Sequence, residues 1–85
     1  MTYKIEFSRS AEKEFISLPK VEQKKIAKKI DKLADHPFPA GHKKLEDGGE
    51  IYRIRQGDYR ILYSVQEGKL IVLVLKIGHR REVYR

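Results

Sequence analysis

The sequence predicts an α+β fold in which a two-helix hairpin packs on a mainly antiparallel four-stranded sheet, in the order β-α-α-β-β-β. Three observations carry this expectation. Apolar residues recur at helical spacing between residues 11 and 34. They recur at alternate positions from residue 51 onward, and a short alternating run, Tyr3, Ile5 and Phe7, precedes both. A run of helices followed by a run of strands segregates the helices to one face of a sheet. There are no repeats, linkers or low-complexity tracts, so residues 1–85 read as a single domain.

Each element has its own local signal. The first strand, Tyr3 to Phe7, alternates apolar residues with Lys4 and Glu6 and ends at Ser8. Ser8 or Ser10 can cap the following helix, because a serine oxygen accepts from an amide that the first turn leaves unpaired. Ala11, Phe15 and Leu18 form its apolar stripe. Pro19 interrupts helical hydrogen bonding yet suits a first turn, so a second helix is expected from Val21 to Ala34, with Ile26, Ile30 and Leu33 buried. His36-Pro37-Phe38-Pro39 ends it, since the residue before a proline is pushed out of the helical region. A loop then runs to Gly48-Gly49. Strands are expected at Ile51 to Arg55, Tyr59 to Val65 and Leu70 to Ile77, with turns at Gln56-Gly57 and Glu67-Gly68. The third of these is apolar at every position from Leu70 to Leu75, as a strand central in the sheet would be.

Composition narrows the possible functions. Charged residues make up 36% of the chain against a typical ~25%, and the longest apolar run is far shorter than a membrane span. The start lacks the basic and apolar segments of a signal peptide, which points to a cytoplasmic protein. With no cysteine there is no disulfide, thiol catalysis or Cys-ligated zinc. His36, His42 and His79 are not at ligand spacing on one element and have no acidic constellation beside them, so neither a metal site nor a cofactor is expected. The net charge of +7 points instead to a polyanion, nucleic acid first.

The distribution of the bases says more than their number. On the second helix Lys25, Lys28, Lys29 and Lys32 fall on the side opposite the isoleucines, as a solvated face or as a ridge contacting RNA phosphates. Arginine is concentrated later: Arg9 stands alone in the first half, whereas Arg53, Arg55, Arg60, Arg80, Arg81 and Arg85 all follow residue 50. With Gln56-Gly57 as a two-residue turn, Arg55 pairs with Asp58 and Arg53 with Arg60, and all three arginines share one sheet face. Tyr52, Ile54, Tyr59 and Ile61 occupy the other face and form the floor for the helices. From residue 51 onward Asp58, Glu67 and Glu82 cannot neutralise Arg53, Arg55, Arg60, Lys69, Lys76, Arg80, Arg81 and Arg85. An anion site is therefore expected, in which planar guanidinium groups grip phosphate bidentately. His79, exiting beside the arginines, is the one nearby group whose ordinary pKa permits proton transfer near neutrality. Tyr84 offers a packing ring or a stacking platform for a base.

The run Tyr52-Arg-Ile-Arg-Gln-Gly-Asp-Tyr-Arg-Ile-Leu-Tyr63, preceded by Lys44-Leu45 and followed by Val72-Leu-Val-Leu-Lys-Ile-Gly-His-Arg-Arg-Glu-Val-Tyr84, resembles the RelE/ParE toxin superfamily, and its ending resembles the RelE branch. The resemblance spans essentially the whole chain. It implies the toxin of a type II toxin–antitoxin pair: a metal-independent endoribonuclease that cuts messenger RNA in the ribosomal decoding site by 2′-hydroxyl attack. It also implies a cognate acidic, RelB-like antitoxin in a hetero-oligomeric complex. The alternative within the superfamily is a ParE-like inhibitor of DNA gyrase without nuclease activity. By resemblance Arg60 matches a phosphate-binding arginine, Arg53 and Arg55 match two basic strand positions, and Arg80 and Tyr84 match a catalytic tail, with Arg81 as the alternative to Arg80. The chain departs from relatives that carry lysine at the two strand positions. Arginine keeps its proton, so Arg53 and Arg55 cannot act as a general base.

Overall fold

The computed structural model describes residues 2–45 and 50–79. The chain runs β1 (Lys4–Phe7), α1 (Arg9–Ile16), α2 (Lys20–Leu33), β2 (Lys43–Lys44), β3 (Ile51–Gln56), β4 (Tyr59–Gln66) and β5 (Ile71–His79). The strands form one sheet in the order β1-β5-β4-β3-β2, parallel only between β1 and β5. The α+β architecture is as the patterning predicts, with one strand more than expected. Lys43 and Lys44 pair with Arg53 and Tyr52 and add a fifth strand at the edge.

Ser8, rather than Ser10, caps α1. Its Oγ accepts from the Ala11 amide at 3.1 Å and donates to the Leu75 carbonyl at 3.0 Å, so a single hydroxyl starts the helix and ties it to β5. At the other end, the Gln23 amide nitrogen donates to the carbonyls of Ile16 and Leu18, carbonyls that the end of a helix leaves without partners. That clasp fixes the tight α1–α2 turn. Pro19 then precedes the first turn of α2, where a missing N–H costs nothing.

The core lies between the two helices and one sheet face. Ala11, Ile26, Ile30 and Leu33 meet Ile54, Ile61, Tyr63, Val65, Val72, Val74 and Ile77, all buried, with Tyr52 and Tyr59 packed against their margin. β5 lies between β1 and β4, as its apolar run predicts, with Val72 and Val74 fully buried and Leu73 and Leu75 half-buried. Among the described residues no helix is long and apolar enough to cross a membrane.

Two turns depart from expectation. Gln56 pairs with Tyr59, so the β3–β4 turn is Gly57-Asp58, with Gly57 at φ +61° where a side chain would be strained. Arg55 therefore opposes Arg60 instead of Asp58, and Arg53 opposes Leu62 instead of Arg60. The slip is two residues, an even number, so the faces are preserved. The β4–β5 loop spans residues 67–70 with Leu70 at φ +55°, and β5 runs on to His79, beyond the expected end at Ile77.

Candidate RNA interface on the helix-free face

Cross-strand partners project on the same side of a sheet, so the register alone assembles this face. One row crosses four strands as Lys43, Arg53, Leu62 and Lys76. The next row is Arg55, Arg60 and Gly78. Arg53, Arg55 and Arg60 thus share the face opposite the helices, as the alternation predicts. Lys43 extends the patch at its margin. Sequence reading missed it because β2 is two residues long and has no apolar alternation to announce it.

The arginines differ in their surroundings. Arg55 is exposed and Arg53 half-buried, whereas Arg60 is only 3% exposed, with Nε and Nη1 shut off from solvent. A guanidinium keeps its proton even when buried, so Arg60 is a permanent charge in a low-dielectric setting, where its field is screened least. Gly78 opposite it presents no side chain and is itself buried.

His79 is elsewhere, which corrects its expected position beside the arginines. The β4–β5 register shifts between Leu62 and Tyr63: Leu62 faces Lys76 but Tyr63 faces Val74, leaving Leu75 as an extra residue. One inserted residue moves every later side chain of the strand to the other face. His79 consequently opposes Tyr59 on the helix side, with their rings 5.8 Å apart edge to face. Together they line a cavity of about 500 Å³ with Lys13, Leu18, Pro19 and Ile77.

Glu14 is a second residue the sequence did not single out. β1 ends at Phe7, opposite Val74, so among the described residues no strand covers the edge of β5 beyond that point. Glu14 closes part of it, accepting from the Ile77 amide at 3.0 Å and from Lys76 Nζ at 3.0 Å. The carboxylate thereby satisfies a strand donor and neutralises one cation next to the basic face. The contact joins residues 63 apart in sequence, beyond the reach of any local signal.

Of the ridge lysines, Lys25, Lys28 and Lys32 are exposed on α2, while Lys29 is half-buried on its flank instead of opposite the isoleucines. Lys25 reaches the β3–β4 turn and lines a recess with Glu22, Gly57, Asp58 and Tyr59. Arg80, Arg81 and Tyr84 lie outside the described residues, as does the Gly48-Gly49 loop. Among the described residues no group of three histidine or acidic side chains could hold a metal ion.

Two helices packed on one face of a five-stranded, mostly antiparallel sheet is an architecture shared with solved RelE toxins. The family model described as the ParE toxin of the type II toxin–antitoxin system parDE matches residues 5–84, and the chain belongs to that family, within the RelE/ParE superfamily, as a RelE-type toxin. Toxin RelE1 of Methanocaldococcus jannaschii is 30% identical over 100% of this chain and 98% of its own length. The mRNA interferase toxin RelE of Escherichia coli K12 is 31% identical over 99% of this chain and 92% of its own. The RelE of the Pyrococcus horikoshii RelE–RelB complex superimposes with a TM-score of 0.81 at 34% identity, over 94% of this chain and 97% of that one.

Proposed function

We propose that this RelE-type toxin inhibits translation as a ribosome-dependent, metal-independent endoribonuclease acting on messenger RNA. The observation that carries the reading is the Arg55–Arg60 pair, joined by Arg53, on the sheet face opposite the two helices. The exposed Arg55 guanidinium can grip a phosphodiester bidentately, with the Arg60 charge fixed behind it. The naming of the Escherichia coli relative as an mRNA interferase supports the same substrate.

In the reaction the RNA 2′-oxygen bonds to the adjacent phosphorus while the P–O5′ bond breaks. The 2′-hydroxyl gives up its proton and the departing 5′-oxygen takes one, leaving a 2′,3′-cyclic phosphate and a 5′-hydroxyl. Arg60 stabilises the charge that builds on the non-bridging oxygens, and Arg53 and Arg55 hold flanking phosphates. Arg80 and Tyr84 complete the catalytic set from the tail, with Arg81 contacting RNA. The exposed lysines of α2 contact ribosomal RNA, and the ribosome orients the message for attack. This assignment places the toxin in the cytoplasm. A chain of net charge +7 is held inactive by an acidic RelB-like antitoxin whose surface complements the basic face, in a hetero-oligomer.

The name of the matching family supports a second reading, ParE-like inhibition of DNA gyrase. One experiment separates the two. The protein is added to a translating extract and to a gyrase supercoiling assay, and message ends are mapped. Ribosome-dependent cuts ending in cyclic phosphate support the nuclease. Intact message with inhibited gyrase overturns it.

A further inference from the structure

We infer that Lys29 and Arg55 form a two-cation subsite for a single RNA backbone phosphodiester, joining the α2 ridge to the arginine face. The inference rests on reading that face as RNA-binding. Lys29 and Arg55 come from different elements, yet both line one pocket of about 240 Å³, whose other walls are Ala40, Gly41 and Ile54. Those walls are small or withdrawn. Ile54 is 2% exposed, and a Cβ added at Gly41 would meet nothing within 4 Å. The pocket is too small to seat a helix; it admits a compact charged group.

Among the described residues no carboxylate lines this pocket, and the ion pairs are Lys4 with Glu6 and Lys76 with Glu14, neither of which involves Lys29 or Arg55. Two residues with cationic side chains lining one small opening can take an anion from outside. A phosphodiester fits better than a single carboxylate because Arg55 opposes Arg60 and stands two residues from Arg53, so further cations lie next along the sheet. A chain of regularly spaced anions crossing the arginine face meets the pocket at the sheet margin. Helix geometry sets Lys29 apart from its neighbours: at 100° per residue it sits beside the Ile26 and Ile30 stripe, while Lys28 and Lys32 face solvent.

The test uses the full chain and an uncleavable 2′-O-methyl RNA oligonucleotide, with affinity measured across a salt series. Lys29→Gln and Arg55→Gln should each weaken binding about fivefold at low salt, the scale of a charge-assisted contact that stays partly hydrated. The double variant should be little worse than either single, because both groups hold one phosphate, and its salt slope should fall by about 0.7, the value for one phosphate on single-stranded nucleic acid. Lys28→Gln combined with Arg55→Gln should instead multiply the two losses. Parental affinity in both single variants overturns the subsite, as do independent losses with twice that slope change. So does a loss confined to binding of an acidic polyglutamate peptide, which would make the pocket a carboxylate site for a protein partner. The outcome is distinguishable from that of the nuclease reading. A parental chain that cuts no message but shows the paired RNA dependence removes the nuclease and keeps the subsite. Active cleavage with oligonucleotide binding unchanged in both single variants does the reverse.

Discussion

Arg55 and Arg60 face each other across β3 and β4, one exposed and the other shut away from solvent at 3% exposure. The pair combines two properties that one residue rarely supplies. Arg55 can meet a polyanion arriving from solution, and the buried Arg60 keeps a strong, weakly screened field with its geometry fixed by the strand.

Arg60→Ala should therefore lower single-turnover cleavage on programmed ribosomes by about 10²-fold or more, with ribosome binding reduced less than tenfold, since the contact strengthens only as charge develops. Arg60→Lys should recover little, because an ammonium lacks the planar fork. Equal losses in binding and cleavage would mark Arg60 as an anchor for the ground state instead. Thermal unfolding of each variant separates either result from misfolding.

His79→Ala should leave cleavage near the parental rate from pH 5 to 9, because the bulge at Leu75 turns the ring toward Tyr59 and away from the arginines. Its cost should appear in stability, about 1 kcal/mol for the lost edge-to-face contact. A lost limb in the pH–rate profile would instead assign the proton transfer to His79.

The contrast between those two residues explains what was legible. The arginine face could be read because a two-residue slip in the β3–β4 turn preserves which side Arg53, Arg55 and Arg60 occupy. The position of His79 could not, because a single unpaired residue inverts a strand and Leu75 looks like any other leucine in its apolar run. The helices announced themselves through Ser8, Pro19 and the isoleucine stripe, all of them local signals. Glu14 and Lys43 act through partners distant in sequence, and no periodicity encodes such contacts.

Glu14→Ala should destabilise the fold by about 1 to 3 kcal/mol by removing the acceptor for the Ile77 amide, and that amide should exchange with solvent faster than its neighbours in β5. Glu14→Gln retains a carbonyl acceptor and should recover most of the stability while losing the ion pair with Lys76. If the two variants melt together, the Lys76 charge and not the Ile77 amide is what Glu14 serves.

Tyr63 should prove purely structural. Its ring is fully buried and its hydroxyl donates to the Pro37 carbonyl at 2.7 Å. Burial, with Tyr52 beside it, raises the phenol well above its ordinary range. The unfolded chain ionises first, so stability should be intact below about pH 10 and fall as pH rises beyond it. Tyr63→Phe should cost about 1 kcal/mol at neutral pH, soften that alkaline loss and leave cleavage unchanged. Denaturant titrations at pH 7 and above pH 10 measure both effects.

The tie between the two ends of the fold has a consequence for how the molecule comes into being. Among the described residues β1 finds its sheet partner only in β5, and α1 is fastened to the same strand through Ser8 and Glu14. During synthesis the N-terminal strand and helices emerge well before their partner is made, and pairing so distant in sequence is slow to form. The sheet that aligns Arg53, Arg55 and Arg60 is therefore completed only once β5 has been made. A growing chain therefore carries the arginines for some time before the surface that aligns them exists.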